Sequence, residues 1–178
     1  MYSFWKRFLD LALSVFGLLI LGIPLTLLCL LKALFERQNP LFFQERTGRD
    51  LKPFVLWKIR TMGRDGKTNR FDRFLRRYSI DELPQLVNIL KGDMSWVGYR
   101  PVVPAETELI SLRDRRGVYR LRPGLTGWAQ IHGRDRLAPT EKAELDAYYT
   151  EHISFSLDLK ILAKTVVCVL QHRDVREK

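Results

Sequence analysis

The sequence predicts a mostly helical domain with a short stretch of strand, held at a membrane by its N-terminal segment. Three observations carry this: no residue between Leu11 and Leu31 is charged, apolar residues recur at helical spacing after position 70, and one stretch near position 55 alternates with a period of two. With 178 residues, 46% of them hydrophobic, the chain is not disordered, and one domain of ordinary size accounts for its length. The cysteines Cys29 and Cys168 lie in apolar runs without C-x-x-C spacing, which argues against a zinc knuckle and a disulfide scaffold. Thirty Lys and Arg against twenty Asp and Glu leave a net charge of +10, so anionic partners are expected; phosphate esters, nucleic acid and acidic lipid headgroups all qualify.

The uncharged run is long enough, at about 31 Å as a helix, to match a hydrocarbon core. A cleaved signal peptide would have a shorter apolar region and a small-residue cleavage site, which Lys32-Ala-Leu-Phe-Glu-Arg37 does not supply. Gly22 and Pro24 fall in its middle, where proline removes a ladder hydrogen bond and kinks a helix. Lys6 and Arg7 precede the run and Lys32 and Arg37 follow it, so the positive-inside bias places both flanks in the cytoplasm. A re-entrant segment turning at Pro24 satisfies both flanks; a kinked spanning helix fits the length equally well.

Phe54 to Met62 reads as a strand whose period of two puts Lys58 and Arg60 on one side, where two cations can face one ligand. The turn at Gly63-Arg-Asp-Gly-Lys67 lacks a full phosphate-loop pattern. From Arg70 to Tyr78, the apolar Phe71, Phe74, Leu75 and Tyr78 keep helical spacing among Arg70, Arg73, Arg76 and Arg77, a basic amphipathic helix suited to anionic headgroups or a phosphate site. A second helix is expected to start at Asp81 as N-cap, with Pro84 in its first turn, an apolar face of Leu83, Leu86, Val87 and Leu90, and Gly92 as its stop. Asp81 and Glu82 then lie at the positive end of a helix just after four arginines, which suits a carboxylate that handles phosphate. A plain capping acid is the ordinary alternative.

The Pro- and Gly-rich stretches 97–104 and 121–127 are ordered loops presenting Arg100 and Arg122, and a guanidinium on a rigid loop loses less entropy on binding phosphate. Phe155 to Gln171 is an apolar helix with Lys160 and Lys164 on one side, placed on the membrane surface or in the core. The sequence has no G-x-S-x-G, H-E-x-x-H, Walker or G-x-G-x-x-G motif. A bound metal would be held by carboxylate and phosphate oxygen, which favours magnesium or manganese.

Lys58-Ile-Arg-Thr-Met62, the run from Ser79 to Met94 containing Asp81-Glu-Leu-Pro84, Val97-Gly-Tyr-Arg-Pro101 and Arg122-Pro-Gly-Leu-Thr-Gly-Trp-Ala-Gln130 together resemble the bacterial sugar transferase family, the monotopic phosphoglycosyl transferases. The resemblance covers nearly the whole chain and points to the small, minimal members. It implies a compact α/β catalytic domain, mostly helical with a small sheet, over residues 36–178, with membrane-surface amphipathic helices. Residues 1–35 would form a re-entrant helix-break-helix with its membrane break at Pro24, and the domain would sit on the cytoplasmic face of the bacterial inner membrane.

The implied reaction, an early membrane step of glycoconjugate synthesis, transfers a phosphosugar from a UDP-sugar to a polyprenyl phosphate and releases UMP. Asp81 is the implied nucleophile, Glu82 its partner and Mg²⁺ the cofactor, with Asp81 also touching the metal. A carboxylate can form an acyl-phosphate, which splits the transfer into two displacements with ping-pong behaviour. Arg77, Arg100 and Arg122 would offset phosphoryl charge. Pro101 is kept beside Arg100, Lys58 and Arg60 fall to the diphosphate or the polyprenyl phosphate, and Arg134 to the nucleotide side. Asp146 and Tyr149 match an Asp-x-x-Tyr pattern linked to nucleotide-sugar binding. The chain departs from the family pattern at Ile23, often Ser, at Tyr99, usually Pro, and at His132-Gly-Arg-Asp135. The competing expectation is an inert membrane-bound module for anionic lipid or nucleic acid, but the aromatics are not spaced as stacking platforms, so no nucleic-acid partner is expected.

Overall fold

The computed structural model describes residues 2–63, 66–133 and 136–171. Helix α1 covers Tyr2–Glu36. Strands β1 (Leu41–Thr47) and β2 (Pro53–Ile59) form an antiparallel hairpin with Phe43 opposite Trp57 and Leu41 opposite Ile59. Helices α2 (Arg70–Arg77) and α3 (Gln85–Lys91) follow, then β3 (Ser95–Val97), α4 (Thr107–Arg115), β4 (Gly124–Thr126), α5 (Pro139–Glu151) and α6 (Phe155–Gln171). β3 and β4 pair in parallel, so the expected small sheet is two separate two-stranded sheets. A Cβ on Gly124 would collide with the backbone of Gly98, and only glycine permits this approach of the two loops.

The helix does not break at Pro24. Helical backbone continues through the proline to Glu36, because one proline costs one ladder bond while the flanking turns keep theirs, which bends a helix rather than ending it. Arg7 donates to the carbonyls of Ile89 (2.7 Å) and Leu90 (3.1 Å), satisfying acceptors that the last turn of α3 leaves open. Asp10 accepts from Ser95 Oγ and the Trp96 N–H, each at 3.0 Å, and Trp96 Nε1 donates to Ser14. Lys6 pairs with Asp158 of α6, and near the other end Lys32 pairs with Asp72 of α2. The remaining faces of α1 leave Phe4, Phe16, Leu19, Ile23, Leu34 and Phe35 exposed. This uncovered apolar helix is long enough for membrane contact.

Leu56, Leu86, Ile89 and Met94 form one core cluster, joined by Leu18 of α1, while Val97, Ile131, Tyr149 and Ile161 form another beneath α6. Asn88, fully buried on α3, accepts from Trp57 N–H (3.0 Å) and donates to Val55 C=O (2.7 Å), so one amide satisfies the β2 backbone facing it.

On α2 the buried residues are Asp72, paired with Lys32, and Leu75, while Phe71 and Phe74 are about half exposed. One expectation about a helix start is corrected. The second helix does not begin at Asp81. Ser79 takes a left-handed conformation (φ 55°), residues 80–82 form a single 3₁₀ turn, and α3 starts at Gln85 after Pro84. Its inward face is Gln85, Leu86, Asn88 and Ile89; Gly92 ends it in the left-handed region as expected.

Candidate functional site

The sharp reversal at Ser79 carries the chain from the basic helix α2 into the 3₁₀ turn and buries both of its acids, Asp81 and Glu82, side by side. Lys58, at the end of β2, donates to Glu82 Oε1 at 2.9 Å. Arg100 Nη2 reaches the same oxygen at 3.0 Å, and Nη1 approaches Oε2 at 3.5 Å. Glu82 is thus clamped by two cations from two different elements.

Asp81 is held differently. Among the described residues no hydrogen bond or ion pair reaches its carboxylate, and the residue keeps 8% of its surface exposed. Burial, and then the negative charge of Glu82, raise its pKa from the ordinary 3.8 to about 6, against the pull of Lys58, Arg76 and Arg100. A largely buried carboxylate with no bonded partner and some exposed surface is a candidate reacting group.

Two cavities lie near this turn, one lined by it and one beyond Arg100. The larger, about 400 Å³, takes its apolar wall from Leu83, Leu125 and the α6 residues Leu162, Val166 and Val169, and its polar wall from Arg77, Glu82 and Arg100. The smaller, about 190 Å³, has charged and apolar residues in its lining and lies between β1, the loop after β3, α4 and α5. Arg100 and Gln130 line both.

Of the residues expected from sequence, Lys58, Arg77 and Arg100 gather with Asp81 and Glu82, and Pro101 lines the smaller cavity. Arg60 departs from Lys58: β2 ends at Ile59, and the Arg60 guanidinium turns back to the carbonyls of Asn39 and Leu41 and over the Phe42 ring. Arg122 Nε donates to the Gly92 carbonyl at 2.8 Å, closing the end of α3. Asp146 is buried against Arg113, at 2.6 and 2.9 Å. The buried Tyr149 hydroxyl faces Asp158 and the Val97 carbonyl. These four do not join the Asp81 turn, and Arg134 lies outside the described residues. Tyr99, at the position where the family usually has proline, is buried edge-on to the Tyr119 ring, with Arg113 over it.

The structure adds Arg76, which acts on Asp81 while its Nε donates to Thr61 Oγ1 at 2.6 Å, and Arg46, Gln130 and Lys142 in the smaller cavity. Arg76 follows Asp72 by one helical turn, so the unusual acid in a basic helix was the signal for the inward face. Among the described residues no cluster of three or more His, Cys, Asp or Glu could hold a metal ion by itself.

Residues 1–172 match the model of a family described as "Bacterial sugar transferase". The chain is 40% identical to "Uncharacterized sugar transferase EpsL" of Bacillus subtilis, over 97% of this chain and 90% of that protein. It is 39% identical to "UDP-glucose:undecaprenyl-phosphate glucose-1-phosphate transferase" of Caulobacter vibrioides, over 93% of this chain and 69% of the relative. "Undecaprenyl-phosphate glucose phosphotransferase" of Komagataeibacter xylinus is 38% identical; 90% of this chain matches and covers 35% of that longer protein. A family match over nearly all described elements, joined to these relatives, fixes the assignment: the chain belongs to the bacterial sugar transferase family.

Proposed function

We propose that this protein transfers a phosphosugar from a UDP-sugar to a polyprenyl phosphate in two displacements, with Asp81 as the nucleophile. The observation that carries the reading is the contrast within one turn, a bare, reachable Asp81 beside a Glu82 clamped by Lys58 and Arg100. In the first displacement an Asp81 oxygen bonds to the sugar-bearing phosphorus, and the bond from that phosphorus to the bridging oxygen breaks, so UMP leaves with the oxygen. In the second, an oxygen of the polyprenyl phosphate attacks the same phosphorus and the Asp81–phosphorus bond breaks, restoring the carboxylate. No proton needs to move, which suits a site furnished with cations and lacking a histidine among the described lining residues. Glu82 keeps Lys58 and Arg100 oriented toward the phosphates.

The larger cavity suits the lipid acceptor: its apolar α6 wall offers room for isoprene units and its Arg77 and Arg100 end suits their phosphate. Both ends of α1 are bonded to one domain, through Lys6 and Arg7 and through Lys32. This supports a helix bent at Pro24 that enters and leaves at one membrane face, with the domain in the cytoplasm and the exposed apolar side chains in lipid. Magnesium fits Asp81, since that ion takes one or two carboxylates and completes its shell with substrate phosphates and water; bound there, it would offset phosphoryl charge.

The test is UMP release from a panel of UDP-sugars by the protein in detergent with Mg²⁺ and polyprenyl phosphate, with Asp81→Ala as control. Release that depends on Asp81, with a phosphosugar adduct trapped on it by rapid quench, is the expected result. Turnover without any Asp81 adduct overturns the nucleophile, and silence across the panel leaves an anion-binding module as the better reading.

A further inference from the structure

Arg100 lies in the loop after β3, and no helix or strand includes residues 99–102. The carbonyls of that loop are met one by one from elsewhere. Tyr99 C=O takes the Gly124 N–H at 2.8 Å, Arg100 C=O takes Arg113 Nη1 of α4 at 2.9 Å, Pro101 C=O takes Arg46 Nη1 at 3.3 Å, and Val102 C=O takes the Thr47 N–H at 2.9 Å. Arg100 is therefore gripped at both ends, its guanidinium by Glu82 and its carbonyl by Arg113. Arg113 is fixed from behind: Nε and Nη2 both donate to Asp146 Oδ2 of α5, at 2.9 and 2.6 Å, and its guanidinium lies 5.2 Å from the centre of the Tyr99 ring. A proline at position 99 would fix φ through its own ring; Tyr99 has no such restraint, and its packing with Val118, Tyr119 and Ala147 holds the loop from outside. Arg113 and Asp146 keep only 1% and 2% of their surface exposed. A pair so deep is a weak source of stability, because leaving water costs about what the attraction returns. Burial pushes the Asp146 carboxyl above its usual range even beside Arg113. The geometry has another use, since the planar fork spends two N–H groups on one carboxylate oxygen and aims a third at the loop.

We propose that Arg113 and Asp146 are positioning residues for Arg100, setting the backbone of residue 100 so that its guanidinium meets the reacting phosphate. They act through the loop and not by contact with substrate. The proposal rests on the reading of Arg100 as a cation for that phosphate and deepens it by naming the residues that place it. Asp146 orients Arg113, Arg113 holds the Arg100 carbonyl, and Glu82 holds the other end of the same residue.

Replacing Arg113→Met together with Asp146→Leu in the full chain removes both charges at once and strands neither, so the fold should survive, which a thermal melt establishes. Where that protein melts, Arg113→Lys takes its place, keeping a cation on Asp146 and giving up the fork to the loop. Hydrogen exchange over residues 98–102 should quicken by roughly tenfold, and kcat for UMP release should fall by roughly tenfold as the guanidinium loses its setting. In an Arg100→Gln background the same replacement should change kcat by less than about twofold, because the loop then has no guanidinium to place, whereas a general loss of structure would multiply with the Arg100→Gln loss. Parental exchange over the loop, or a multiplied loss in the Arg100→Gln background, overturns the proposal. Quickened exchange over the loop in a protein that releases no UMP from any UDP-sugar supports the tie between Arg113 and the loop and removes the Asp81 reading instead.

Discussion

Asp81 and Glu82 are neighbours in one 3₁₀ turn, yet Glu82 receives Lys58 and Arg100 within 3.0 Å while no side chain bonds to Asp81. Adjacent carboxylates with unlike surroundings are suited to unlike roles, and the proposed reaction gives Glu82 the bracing of cations and Asp81 the attack.

The raised pKa gives a pH signature. Asp81 must be ionised to attack, so kcat/KM for the donor should rise as pH passes through about 6 and level off above it. Glu82→Gln removes the negative neighbour and frees Lys58 and Arg100 to act on Asp81, so the acid limb should move to lower pH while the plateau falls. A pH–rate profile of both proteins checks this, and an unmoved limb would show that Glu82 does not act on Asp81.

Stability should move opposite to activity at the same position. A carboxyl whose folded pKa lies above its unfolded one costs stability fully above about 6 and not at all below 3.8. Asp81→Asn should therefore abolish transfer and stabilise the fold at pH 7.5 by about 1–3 kcal/mol, an order-of-magnitude figure from the size of the shift. At pH 4 the gain should have largely disappeared, which thermal melts at the two pH values can check.

Arg100 joins Glu82 to both cavities, so its loss should be felt at each step. Arg100→Gln should lower kcat by about 10² or more, the cost of removing one preorganised donor at a charge-developing site. Arg60→Gln, whose parent guanidinium bonds the Asn39 and Leu41 carbonyls, should leave kcat within about threefold, since surface polar contacts carry little. Steady-state kinetics on the pair separates a cation held at Glu82 from one that bonds only backbone carbonyls.

Lys32→Met should destabilise the protein by roughly 3–5 kcal/mol by leaving Asp72 buried and uncompensated. The double replacement Lys32→Met with Asp72→Leu should recover much of that loss. Chemical denaturation in detergent measures both singles and the double, and a double-variant loss equal to the sum of the two single losses would show that the charges do not depend on each other.

Much of this was legible in the sequence. The uncharged run, the bounds of α6, the stop at Gly92 and the acidic pair after a basic helix all follow from local rules acting within a few residues. What was not legible came from long-range partners. The burial of Asp72 on α2 depends on Lys32, forty residues away. Ser79 adopts a conformation that spacing does not reveal, and it moved the start of α3 past the acids. Asp146 looked like a ligand by motif, but only the fold shows Arg113 covering it. Arg46 sits in an ordinary strand pattern, and its unpaired Nε becomes visible only when the loop after β3 closes over it.

The bonds from α1 bear on how a soluble form of this enzyme could be made. Leu18 fills the cluster of Leu56, Leu86, Ile89 and Met94, Gly17 lies against Leu86, and Asp10 fastens the strand that leads to Arg100. Removing the N-terminal helix would therefore strip one wall from the core, leave the α3 carbonyls open and loosen the loop on which the chemistry depends. The apolar helix and the domain share one core, and solubility is better sought by replacing the exposed apolar side chains of α1 than by deleting it.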